Sequence, residues 1–196
     1  MSRTPRIEQA GLTYHVTGHG LGGIPLYRCD DDRGVALELL VEEIERSAWT
    51  CLEYCFMSTH YHLVIELQKP TLSSGFHSFN GRYARYFNRT YGRRGHAFED
   101  RYRARLVETD LHRLEVVRYV ARNPVKANMC ELPEDYPWSG YGSIIGLHAP
   151  DPAIDIKAAL APFGGSRRAY RMFVEEKDPR VRRCQANARH RKSRAA

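Results

Sequence analysis

The chain has 196 residues, 42% of them hydrophobic, which suits one domain plus an extension and excludes a wholly unstructured polymer. Its formal charge of +7 is uneven: residues 79–126 carry twelve Arg/Lys against five Asp/Glu, interleaved with Tyr and Phe, and residues 180–196 carry seven basic residues and no acid. Basic and aromatic residues concentrated together are the footprint of a nucleic-acid partner. No apolar run approaches a membrane span and MSRTPRIEQAG lacks a signal peptide's apolar core, so a cytoplasmic location is expected. Five cysteines without a CxxC pair read as reduced thiols.

In chain order, LTYHVT (12–17) is rich in β-formers and predicts a strand. Gly18, Gly20, Gly22 and Gly23 then read as a flexible loop, without the strand–GxGxxG–helix context of a phosphate cradle. Asp30–Asp32 reads as a capping turn before a helix over 33–47, whose apolar face is Leu37, Leu40, Val41 and Ile44. Strands over 50–57 and 60–67, with Ser58 and Thr59 between them, predict an antiparallel hairpin. Ser73 or Ser74 opens a helix to about residue 89, with Phe76, Phe79, Tyr83 and Phe87 on one side. The Gly/Arg-rich stretch after it holds a short strand. A helix from Thr109 or Asp110 is expected to stop at Asn123, because Pro124 disfavours helical geometry in the residue before it. A last short helix follows Ser166. This order argues for an α+β fold, an antiparallel sheet with helices packed on one face. The expected division is a domain over 1–148 and a C-terminal extension over 149–196 that ends in a basic arm suited to DNA phosphates.

His60 and His62 alternate along one strand, so both imidazoles share a face and could share one ion. Spacing alone is also compatible with two polar surface residues. A rival metal set would add Cys51 and Cys55 as structural zinc ligands. On the helix over 110–123 the apolar stripe is Leu114, Val117 and Ala121. Tyr119 lies roughly 140–160° from all three, beside Glu115, Arg122 and Asn123. That placement suits either a tyrosine facing a cleft or an ordinary surface residue. Asn123, four residues on, shares its side and offers an amide oxygen as a third metal ligand. A phenol titrates near pH ~10, so a tyrosine nucleophile benefits from a cation that draws charge off a phosphate.

Five ordered blocks, TYHVTGHG, MSTHYHLVIE, YARYFNRTYGRRGHAFEDRYRARL, RYVARNPVKA and DYPWSGY, resemble the single-tyrosine HUH transposases. Within the insertion-sequence-200-like superfamily they are most similar to the REP-associated tyrosine transposases, over about residues 5–143. The resemblance implies a ferredoxin-like domain and a divalent ion, Mg or Mn, on His60 and His62. It also implies Tyr119 as nucleophile with Asn123 as the polar ligand four residues later. The implied function is a metal-dependent transposase that cleaves and rejoins single-stranded or hairpin DNA through a phosphotyrosine. The alternative is a domesticated, non-cleaving DNA-binding protein of the same fold. A ferredoxin-like RNA-binding module would show aromatics on its sheet, where this chain offers histidines. Candidate DNA contacts are Arg82, Arg85, Tyr86, Arg89, Arg101, Arg103, Arg118 and Arg122, with Phe98 a further stacking surface. Trp138 reads as a structural anchor. The assembly is either a monomer or a homodimer. Two departures stand out: His19 replaces an arginine common in relatives, and Asn123 replaces the glutamine of a related branch. Two imidazoles are also softer ligands than magnesium prefers, which favours manganese.

Overall fold

A computed structural model describes residues 8–176. The basic arm expected at 180–196 lies outside the described residues, as does Cys184. Four strands, β1 (Thr13–His19), β2 (Trp49–Phe56), β3 (His60–Leu67) and β4 (Arg103–Val107), form one antiparallel sheet in the order β2-β3-β1-β4. Helix α1 (Asp30–Ser47) connects β1 to β2, and α2 (Leu72–Thr90) connects β3 to β4. This βαββαβ order, with β1 and β3 central, is the ferredoxin-like arrangement. The expected α+β class stands.

Alternation assigns the faces. Tyr14, Val16, Tyr61, Leu63 and Ile65 point to one side and are all buried. There α2 sets Phe76, Phe79, Tyr83 and Phe87 at helical spacing, each at most 1% exposed. Tyr61 stacks with Phe76 and meets Phe79 edge-on, while its hydroxyl donates to Asn80 Oδ1 at 2.9 Å. Each such ring contributes about 1.5–3 kcal/mol by burial, and the edge-on pairs add to that.

Three local features differ from the sequence reading. Gly18 is not loop but lies inside β1, because the Tyr61 ring crosses it: a Cβ there would sit 2.5 Å from Tyr61 Cε1. The acids at 30–32 form the first turn of α1 rather than a preceding turn. Asp32 accepts from the backbone N–H of Arg28 and Cys29 and from the hydroxyls of Tyr86 and Tyr91, so it caps the helix from within. The helix before Pro124 also ends early. Helix α3 (Asp110–Ala121) closes at Arg122, and a new turn, α4 (Asn123–Lys126), takes the proline in its first turn. A proline is tolerated there because its missing N–H would have had no helical partner.

Helices are not confined to one face. Tyr119 of α3 packs against His15 and His62, so α3 covers the face opposite α2. After α4 the chain runs along the outer edge of β2. Phe56 N donates to Trp138 O (2.9 Å), Gly140 N to Tyr54 O (3.2 Å), and Asp155 N to Cys51 O (3.0 Å). An edge strand is thereby protected from pairing with other chains. Trp138 is half-buried, its indole N–H donating to Asp30. Helices α5 (Tyr141–Ile144), α6 (Ile156–Leu160) and α7 (Arg167–Glu175) complete the described chain. Their Tyr141, Leu160, Tyr170 and Val174 join the same hydrophobic core as the sheet. Tyr170 donates at 2.8 Å to Glu53, a carboxyl with no exposure, which burial pushes up to about 8.

Candidate active site on the histidine face

The register of the three inner strands builds the site. Thr17 sits opposite both His62 and Arg103, His19 opposite His60, and His15 opposite Arg105. Partners across a ladder share a face, so His15, His19, His60, His62, Arg103 and Arg105 project together on the side that α3 covers. His60 and His62 meet edge-on with centroids 4.9 Å apart, and His19 stacks on His60 at the same separation. His15, diagonal to His62, stacks on it at 5.2 Å and shares a 3.0 Å hydrogen bond, His15 Nε2 to His62 Nδ1.

Tyr119 is 39% exposed, as its placement off the apolar stripe predicts, yet it does not simply face solvent. Its ring stands edge-on to His62 at 5.5 Å and to His15 at 5.9 Å, and the Lys126 ammonium lies 4.4 Å from its centroid. A groove of about 390 Å³ opens beside it, lined by Glu115, Arg118, Arg122 and Lys126. A larger cleft of about 630 Å³ lies elsewhere, between α2 and the 95–102 segment, where Asn80, Phe98 and Arg101 line it. Convergence of rings and charge, rather than cleft size, marks the histidine face as the site.

The imidazoles are electrically neutral at physiological pH. Burial, then the neighbouring histidines, pushes His62 down to about 2. Burial and His19 lower His60 to about 4, and burial with Arg105 and His112 lowers His15 to about 4. A neutral imidazole keeps one lone pair for a cation. The Nδ1 atoms of the pair are both engaged, His62 with His15 and His60 with Thr59 Oγ1 at 3.0 Å. That leaves the two Nε2 atoms as candidate donors. Among the described residues no three His, Cys, Asp or Glu side chains are grouped to hold a metal. Asn123 is 8% exposed and its buried Nδ2 has no hydrogen-bond partner. That nitrogen can only donate N–H, so any ligation of a cation would fall to the Asn123 amide oxygen. The rival zinc set does not form: a bulge between Cys51 and Glu53 shifts the register, so Cys51 pairs with Ile65 and Cys55 with His62, on opposite faces.

The expected DNA contacts divide. Arg103 is exposed on the histidine face, and Arg122 lines the groove beside Tyr119. Arg118 does not reach out. It is 7% exposed, ion-paired with Glu115 and stacked over Phe173 at 4.5 Å. Arg82, Arg85 and Arg89 belong to α2, on the other side of the sheet, where Arg82 pairs with Glu42. Tyr86 is half-buried, bonded to Asp32 and packed on Tyr83, so its ring serves the α1 cap. Phe98 packs on Tyr61 and Tyr83. Sequence reasoning missed His15, Arg105 and Lys126. The spacing His15-x-Thr17-x-His19 put both histidines on one face, but the β1–β3 register that selects this face is a long-range property.

The four-stranded antiparallel sheet thus carries a histidine pair beneath a helical tyrosine. Residues 29–123 match the family described as "Transposase IS200 like". Among solved structures it is similar to a REP-associated tyrosine transposase bound to a REP hairpin. That protein is 17% identical with a TM-score of 0.63, over 77% of this chain and 90% of that one. At this identity the likeness is one of fold. No curated protein matches the sequence.

Proposed function

We propose that the protein is a single-strand DNA endonuclease and strand transferase with Tyr119 as its nucleophile. His60 and His62 would hold a divalent ion, Mg or Mn, with Asn123 as a further ligand. The observation that carries this reading is the edge-on contact of Tyr119 with His62 at 5.5 Å within one chain. It puts a helical tyrosine beside the histidine pair, an arrangement that suits action in cis. The hairpin held by the similar structure supports single-stranded or hairpin DNA as the substrate class.

A bound divalent ion would draw charge from a non-bridging phosphate oxygen. The remaining work belongs to the chain. The Tyr119 oxygen attacks phosphorus and gives up its proton. The bond from phosphorus to the departing nucleotide oxygen breaks, and that oxygen leaves as a hydroxyl after taking a proton. The product is a phosphotyrosine whose ester energy is retained, so attack by a second DNA hydroxyl rejoins strands without ATP. Arg103 and Arg105 on the sheet, with Arg122 and Lys126 beside Tyr119, supply the positive charge that phosphates require.

The test is incubation of the protein with a hairpin-bearing single strand in Mn²⁺. Wild type should yield a covalent adduct, and EDTA, His60→Ala or His62→Ala should abolish it. A protein that binds the hairpin but never cuts it would instead be the non-cleaving relative.

A further inference from the structure

The hydrogen bond between His15 and His62 has a direction that the chemistry of the site fixes. A neutral imidazole carries one N–H, on either Nδ1 or Nε2. If His15 donated to His62, the His62 proton would sit on Nε2 and block the nitrogen available to a cation. If His62 Nδ1–H donates to His15 Nε2, the His62 Nε2 lone pair stays free. No hydrogen-bond partner among the described residues holds that Nε2, whereas the 3.0 Å contact holds Nδ1. His15 also stacks on His62 at 5.2 Å and lies edge-on to Tyr119 at 5.9 Å, so one side chain touches both.

We infer that His15 is a positioning residue: it accepts the His62 Nδ1–H, fixes His62 as the Nδ1–H tautomer, and thereby presents His62 Nε2 for metal binding. The inference rests on the metal reading above. Metal-bound histidines characteristically give their second N–H to a neighbouring acceptor, which sets ring orientation and raises basicity. Here that acceptor is a second histidine, reached across the β1–β3 ladder. His60 has its own Nδ1 partner in Thr59, so each member of the pair is braced separately.

Long-range ¹H–¹⁵N correlation on the metal-free full-length protein reads the tautomer directly. Wild-type His62 should be the Nδ1–H form. His15→Phe, which keeps a ring but offers no acceptor, should lose that preference and weaken Mn²⁺ binding by about 10- to 100-fold. His15→Gln, whose amide oxygen can accept, should retain both and also serves as the folded control. An Nε2–H form in wild type, or an unchanged tautomer in His15→Phe, would overturn the inference for His15 while leaving the metal reading intact. Wild-type protein that binds no Mn²⁺ would sink the metal reading itself, and with it the purpose given to His15.

Discussion

Glu53 makes folding stability a function of pH in a calculable way. Its carboxyl is fully buried, accepting from Tyr170 and from the Tyr54 amide, and burial raises it from about 4.5 to about 8. The folded state therefore keeps this proton after the unfolded chain has released it. Its contribution is complete below about pH 4.5 and is lost as pH rises through about 8. At about 1.4 kcal/mol per tenfold change in proton affinity, the loss is on the order of 4–5 kcal/mol. That is a large share of a typical total of about 5–15 kcal/mol. The histidines act oppositely: His15, His60 and His62 are lowered, so their contribution is present above about 6.5 and lost on acidification. Comparison with Glu53→Gln cancels them. Urea unfolding followed by circular dichroism at pH 5, 7 and 9 should show wild type losing ground to the variant at each step, with the variant more stable at pH 9. Parallel curves would refute a protonated Glu53 in the folded protein.

Other consequences can be checked separately. Gly18→Ala should destabilise by about 1–3 kcal/mol, because the new methyl meets the immobile Tyr61 ring; an unchanged urea midpoint would contradict the in-strand packing. His60→Ala and His62→Ala should lose Mn²⁺ binding by calorimetry while their unfolding remains cooperative, and full retention of binding would remove the pair from the metal site. Deleting 180–196 removes seven basic residues. If roughly four engage phosphates, the log–log salt dependence of single-strand binding should flatten by about 3, with the cleavage position unchanged. An unchanged slope would rule out a role for the arm in DNA binding.

What was legible in the sequence follows the range of the forces involved. β3 was read at its observed bounds, because alternation of His60 and His62 with Tyr61, Leu63 and Ile65 is a local pattern. The aromatic face of α2 was equally plain, since Phe76, Phe79, Tyr83 and Phe87 repeat at helical spacing. The exposure of Tyr119 follows from what it avoids, the apolar stripe of α3. Long-range features escaped. Nothing near Gly18 announces a ring arriving from β3, and nothing near His15 announces His62, 47 residues away. The bulge that separates Cys51 from Cys55 is set by pairing with β3, not by its own sequence. The arginines of α2 and Arg103 read alike as basic residues, yet the fold places them on opposite sides of the sheet.

The central claim is that Tyr119 carries the DNA. Wild-type protein should be trapped with a hairpin-bearing single strand in Mn²⁺, digested, and the nucleotide-bearing peptide identified by mass spectrometry. The modified residue should be Tyr119, and Tyr119→Phe should bind the same hairpin without forming an adduct. DNA found on Tyr86, Tyr91 or Tyr102, or an adduct that survives in Tyr119→Phe, would contradict the account.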